Sequence, residues 1–175
     1  GRILNLFCYT GSLGLAATAG GARSVTHVDQ QRGQLRRVRA NYELNGFTVD
    51  DRDLINADCW TLLRKAARAG RRWRGVILDP PPLLTGRHRQ RREERFVELA
   101  RLAAAVVEEP GWLLCFFSRQ RAQADPAQDV LSGLRSAGYS ARVGWHGYSG
   151  ADYPEEHPTQ KLHFVAYELD QGSGS

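Results

Sequence analysis

Short apolar runs alternate with segments of helical period along almost the whole of this chain, and that alternation restricts its fold more than any other feature. A strand inside a parallel sheet is buried on both faces, so it reads as an unbroken apolar run. Joining two parallel strands takes a crossover of roughly a dozen residues, normally a helix. Arg2 to Phe7 is such a run and leads into a glycine-containing turn. Gly11 to Ala19, rich in Ala and Leu, predicts a helix stopped by Gly20-Gly21. Ser24 to Val28 reads as a second strand. Gln31 to Asn45 places Leu35, Val38 and Tyr42 on one helical face and stops at Gly46.

The pattern continues downstream. Arg52 to Asn56 reads as a third strand, and Asp58 caps a helix that runs to about Ala69. Gly75 to Leu78 is a fourth strand, halted by Pro80, Pro81 and Pro82. After a polar, arginine-rich loop, Phe96, Leu99, Leu102, Ala103 and Val106 mark an amphipathic helix. Trp112 to Phe117 is a fifth strand, Asp125-Pro126 opens a helix ending near Gly138, and Tyr139 to Trp145 and Leu162 to Leu169 are the last strands. The whole predicts an α/β, Rossmann-like, doubly wound seven-stranded sheet, mostly parallel with the last strand antiparallel.

With 175 residues the chain suits one domain, taken as 1–170, followed by a linker-like tail at 171–175. The missing initiator Met suggests a piece of a longer protein. No apolar run reaches the roughly 20 residues that span a bilayer, so no membrane partner is expected. Cys8, Cys59 and Cys115 lack metal-ligand spacing, which predicts no metal and a reducing, cytoplasmic setting. The net charge of +5 is almost all arginine. Arginine suits phosphate contacts, although a GC-rich genome gives the same bias. The oligomeric state is left open.

In open α/β sheets ligands bind beyond the carboxyl ends of the strands, where the strand order reverses. Three motifs fall at such ends. The first is Phe7-Cys8-Tyr9-Thr10-Gly11, followed by Ser12-Leu13-Gly14. Gly11 permits a tight turn, Gly14 permits close helix packing, and the helix start offers N–H groups to a carboxylate. Tyr9 stands where a dinucleotide fingerprint has its first glycine, which ranks a nicotinamide dehydrogenase low. The second is Asp29, about twenty residues on, where a ribose-binding acid belongs; a helix N-cap is the alternative. Asp58, after the third strand, either meets an adenine amine or caps its helix. The third is Asp79-Pro80-Pro81, an acid at the sheet mouth beside two residues without N–H donors.

Together these stretches, with Asn41-Tyr42-Glu43-Leu44-Asn45-Gly46 and Phe117-Ser118, resemble the class I S-adenosylmethionine-dependent methyltransferases. The nearer resemblance is to the large-subunit ribosomal RNA enzymes of the I type (cytosine carbon-5) and the K/L type (guanine). It covers the chain to about Leu169 and implies S-adenosyl-L-methionine as cofactor and RNA as partner. It places the methionine part at Phe7, Tyr9, Thr10 and Gly11, the ribose at Asp29, and the adenine at Asp58 and Cys59. Asp79, Pro80 and Pro81 face the methyl group and the target base, as the catalytic set.

Three departures bear on the reaction. The I-type enzymes carry a nucleophilic cysteine just after the fifth strand, and here that position is Ser118. Enzymes that methylate exocyclic amines usually place an aromatic after the two prolines, where this chain has Pro82-Leu83. The N-terminal RNA-binding modules of the family precede none of the sequence given. Transfer to a guanine nitrogen, which needs chiefly alignment, is the expected reaction. Alternatives are a non-catalytic RNA-binding module on the same fold and a small-molecule methyltransferase. Arg87, Arg89, Arg91, Arg92 and Arg95 follow the catalytic turn and are the expected RNA contacts. A second group, Arg64 to Arg74, is expected at the opposite end of the sheet. Tyr153 and His157 are weaker candidates to close over the base.

Overall fold

The computed structural model describes residues 1–81, 89–118, 125–150 and 162–171. Strands β1 (Arg2–Leu6), β2 (Ser24–Asp29), β3 (Leu54–Asn56), β4 (Trp73–Leu78), β5 (Val107–Ser118), β6 (Tyr139–Tyr148) and β7 (Leu162–Gln171) form one sheet, ordered β3-β2-β1-β4-β5-β7-β6. Helices α1 (Ser12–Ala19), α2 (Arg32–Leu44), α3 (Cys59–Arg68), α4 (Arg89–Ala104) and α5 (Pro126–Ser136) lie between them. Neighbours from β3 through β5 pair in parallel, and β7 runs antiparallel between β5 and β6. The seven-stranded architecture expected from the sequence is therefore the one observed. Its switch in strand order falls between β1 and β4.

Alternation along β1 divides the core. Leu4 and Leu6 join Leu63 of α3, Leu99 and Ala103 of α4 and Val130 and Leu134 of α5 on one face. Ile3, Val25 and Ile77 take the other face, against Leu13 and Ala17 of α1. Side chains on successive strand residues point to opposite faces, so this division follows from the period of two.

A buried polar chain fastens α1 and α2 to that second face. Asn5 Nδ2 lies 3.3 Å from His27 Nδ1, and His27 Nε2 lies 2.9 Å from the Tyr42 hydroxyl. The Tyr42 hydroxyl is 2.8 Å from Thr18 Oγ1, which donates to the Gly14 carbonyl at 3.1 Å. One assignment satisfies every link: Asn5 donates to Nδ1, Nε2–H donates to Tyr42, and Tyr42 donates to Thr18. His27 is fully buried, and burial pulls its pKa down to about 4, so the ring is neutral.

Several boundaries differ from those read in the sequence. Asp50 accepts the Arg52 N–H and closes a 3-10 turn over Asp51–Asp53, which leaves β3 only three residues. β4 begins at Trp73, whose N–H reaches the Val106 carbonyl at 2.8 Å, and β5 begins at Val107. Val106 is buried in the turn after α4 rather than in the helix. α4 opens at Arg89, inside the segment expected as a loop. Arg, Gln and Glu are good helix formers, and the loop expectation weighed only their polarity.

Candidate active site

Register brings the three strand-end motifs to one level. Leu6 pairs with Val28 on one side and with Leu78 on the other. Phe7, Asp29 and Asp79 each stand one residue further, on three adjacent strands. Strands lie about 4.8 Å apart, so the two acids flank the β1 turn across roughly 10 Å.

The turn itself is left-handed at three places, Phe7 (φ 54°), Tyr9 (φ 47°) and Gly11 (φ 82°). Only Gly11 adopts that region without steric penalty. A Cβ there would also stand 2.9 Å from both methyl carbons of Val38, so glycine is required twice over. The two non-glycine residues are held by their surroundings. Cys8 N–H donates to Val28 O at 3.0 Å, Tyr9 N–H donates to Asp29 Oδ2 at 3.1 Å, and Asn41 Nδ2 donates to Thr10 O at 2.8 Å. Asn41 had no role in the sequence reading, although it lies in a stretch that carried the resemblance. The α1 N-terminus has no side-chain cap, so its first-turn N–H groups remain open to an anion. Gly14 fulfils its expected role, since a Cβ would stand 2.3 Å from His27 Cε1.

Asp29 shapes the adjoining loop. Its Oδ1 accepts the Gln31 N–H at 2.8 Å, while Oδ2 holds Tyr9. The N-cap of α2 is Gln31, not Asp29. Each carboxylate oxygen keeps lone-pair capacity for a further donor. Asp58 is the N-cap of α3, accepting the Thr61 N–H and hydroxyl at 2.8 Å each and the Gln30 amide at 2.8 Å. Partial burial opposes its ionisation, but these donors and Arg64 carry the carboxyl below its ordinary value. Both readings of Asp58 stay compatible, because the cap uses mainly one oxygen. Asn56 ties the loop together, donating to the carbonyls of Asp29 and Gln30.

Asp79 differs from the other two acids. Burial alone pushes its pKa up to about 6. Pro80 beside it is partly shielded and Pro81 is exposed. An acid poised near neutrality at the mouth of a sheet is the signature of a functional site.

Among the expected RNA contacts, Arg89, Arg91, Arg92 and Arg95 belong to α4 rather than to a loop. Arg87, Tyr153 and His157 lie outside the described residues. Arg95 is exposed, and its guanidinium carbon stands 5.6 Å from the Trp60 ring centroid. Arg64 stands at the same distance from that ring and pairs with Glu98 of α4 at 3.6 Å. It therefore shares a patch with Arg95, against the expectation that grouped it at the opposite end of the sheet; α3 starts at the carboxyl end, and Arg64 is only its second turn. Among the described residues, no helix is long and apolar enough to cross a membrane, and no His, Cys, Asp and Glu residues gather as metal ligands.

A family model described as S-adenosylmethionine-dependent methyltransferase matches residues 1–127. The chain belongs to that family. Among its curated relatives is the ribosomal RNA large subunit methyltransferase I of Photobacterium profundum, 36% identical over 117 residues, which is 67% of this chain and 30% of that protein. The ribosomal RNA large subunit methyltransferase K of Neisseria meningitidis is 40% identical over 80 residues, 46% of this chain and 23% of that protein. The chain thus spans less than a third of the length of these relatives. A solved Streptococcus mutans protein assigned as a SAM-dependent methyltransferase superposes over 95% of this chain and 44% of its own, with a TM-score of 0.80 at 19% identity. The fold is that of the family.

In this methyltransferase domain the state of the thiols limits the chemistry. Burial pushes Cys8 and Cys59 up to about 12 and raises Cys115, which lies within β5, further still. All three are protonated at neutral pH, and none is a thiolate nucleophile. Ser118 ends β5 with its backbone paired to Leu162.

Proposed function

We propose that this domain transfers a methyl group from S-adenosylmethionine to a nitrogen of an RNA base, guanine in ribosomal RNA being the target. The observation that carries the reading is the common level of Phe7, Asp29 and Asp79 on three adjacent strands.

The residues present suit the cofactor. The uncapped α1 N-terminus offers N–H donors to its carboxylate, in the turn made by Phe7, Tyr9, Thr10 and Gly11. Asp29 retains acceptor capacity for ribose hydroxyls. Asp58 and Cys59 open α3 beside it, at the place for the adenine. Bound there, the cofactor supplies an electrophilic methyl on a sulfonium whose sulfur keeps the bonding electron pair on transfer.

The chain's own groups do the rest. The carbonyls next to Pro80 and Pro81 accept from the base amine and set the nitrogen in line. The attacking nitrogen must shed a proton when its bond to carbon forms. Asp79, with a pKa near 6, takes that proton at neutral pH. The protonated cysteines and the serine at 118 support nitrogen chemistry over carbon-5 chemistry. The names of the relatives support ribosomal RNA. Arg87, Arg89, Arg91, Arg92 and Arg95 supply the phosphate contacts in this reading.

Two measurements test it. Isothermal titration with S-adenosylhomocysteine should show binding that Asp29→Ala weakens; absence of binding refutes the cofactor site. Mass spectrometry of RNA nucleosides after incubation with labelled cofactor should show a methylated guanosine. Label on a small molecule but never on RNA would favour a small-molecule enzyme. Salt-dependent RNA binding without any methyl transfer would favour a non-catalytic module.

A further inference from the structure

A row of rings runs from the candidate active site to the outer edge of the sheet. Leu78 pairs with Cys115, Cys115 with Val165, and Val165 with His146. Two residues further along each strand, Phe117, His163 and Tyr148 stand side by side, level with Pro80. The Phe117 and His163 ring centroids are 5.9 Å apart, and those of His163 and Tyr148 are 4.8 Å apart with the planes only 19° from parallel. His146 meets His163 edge-on at 6.1 Å. Phe117 is anchored from below by Phe96 of α4 at 5.0 Å.

The two ends of this row differ. Phe117 is 6% exposed and belongs to the core. Tyr148 is 44% exposed and lies on β6, the last strand of the sheet, so no strand stacks against its outer side. A core role accounts for Phe117 but not for a tyrosine and two histidines aligned at a solvent edge, since half-exposed rings contribute little burial.

We propose that Tyr148 and His163 form a stacking platform for unpaired bases flanking the target nucleotide. This rests on the RNA reading above and adds a second contact region to it. Three strand spacings of about 4.8 Å separate the Asp79-Pro80 turn from Tyr148, so the platform lies roughly 14 Å from the methyl-transfer point. A strand with its target base at Asp79 reaches that distance with its neighbouring nucleotides. Ring faces accept any base, so the platform gives affinity and direction without reading sequence. The net charge of +5 favours the same polyanion.

The test is fluorescence anisotropy of a short labelled single-stranded RNA on the full chain, beside guanosine monophosphate competition. Tyr148→Ala should weaken the oligonucleotide about 5- to 100-fold and leave the mononucleotide unchanged. Tyr148→Phe and Tyr148→Trp should restore affinity, because the ring face and not the hydroxyl is used. S-adenosylhomocysteine affinity and the melting temperature should match the parent chain in all three. Equal oligonucleotide affinity for the parent and Tyr148→Ala overturns the platform alone. Failure of Phe and Trp to restore binding also overturns it. If the parent chain binds no RNA of any length, the RNA reading falls and the platform falls with it.

Discussion

Replacing Asp79 by Asn should make this protein more stable at neutral pH. In the folded chain burial raises the carboxyl from its ordinary 3.8 to about 6, with no other cause contributing. The folded state therefore binds the proton more tightly than the unfolded chain does. The stability linked to that proton is fully present below 3.8 and is lost as pH rises through about 6. At about 1.4 kcal/mol for each tenfold change in ionisation equilibrium, the penalty at pH 7.5 is about 2–3 kcal/mol. An amide of nearly the same shape carries no charge and escapes it. Urea unfolding followed by tryptophan fluorescence should show Asp79→Asn ahead by that amount at pH 7.5. The lead should shrink below pH 6 and vanish near pH 4. A variant of equal or lower stability at pH 7.5, or a lead independent of pH, would refute the claim that Asp79 is held desolvated. The same variant should lose methyl transfer, so stability and activity would move in opposite directions, as strained functional groups predict.

Three further outcomes are expected. His27 has the opposite sign: burial lowers it from 6.5 to about 4, so its contribution is complete above 6.5 and is lost as pH falls toward 4. Asp79 masks this in the parent chain, and Asp79→Asn should expose a steeper acid loss, which His27→Gln in that background flattens. Gly14→Ala places a methyl 2.3 Å from His27 Cε1 inside the Asn5–His27–Tyr42–Thr18 chain; it should lower stability by about 1–3 kcal/mol in the same urea assay. Cys8, Cys59 and Cys115 are buried and protonated, so a disulfide reagent such as dithionitrobenzoate should label none quickly in the native chain and all three in urea. Rapid native labelling of any one would contradict that burial.

Local chemistry made the skeleton of this protein readable in advance. Unbroken apolar runs such as Ile3 to Leu6 and Val76 to Leu78 report strands covered on both faces, and Leu35, Val38 and Tyr42 report one helix face, because burial imposes its own period. Gly11 and Gly14 were legible because only glycine tolerates a positive φ or so close an approach. The acids at 29 and 79 were legible because each ends an apolar run. The tertiary structure alone decided what depends on neighbours distant in sequence. The Asn5–His27–Tyr42–Thr18 chain joins four elements, and no spacing announces it. The hold of Asn41 on Thr10, the meeting of Arg64 and Arg95 at Trp60, and the alignment of Phe117, His163 and Tyr148 all arise from register and helix packing. Even the pKa of Asp79 is a property of what surrounds it, since desolvation is set by the assembled fold and not by the residue.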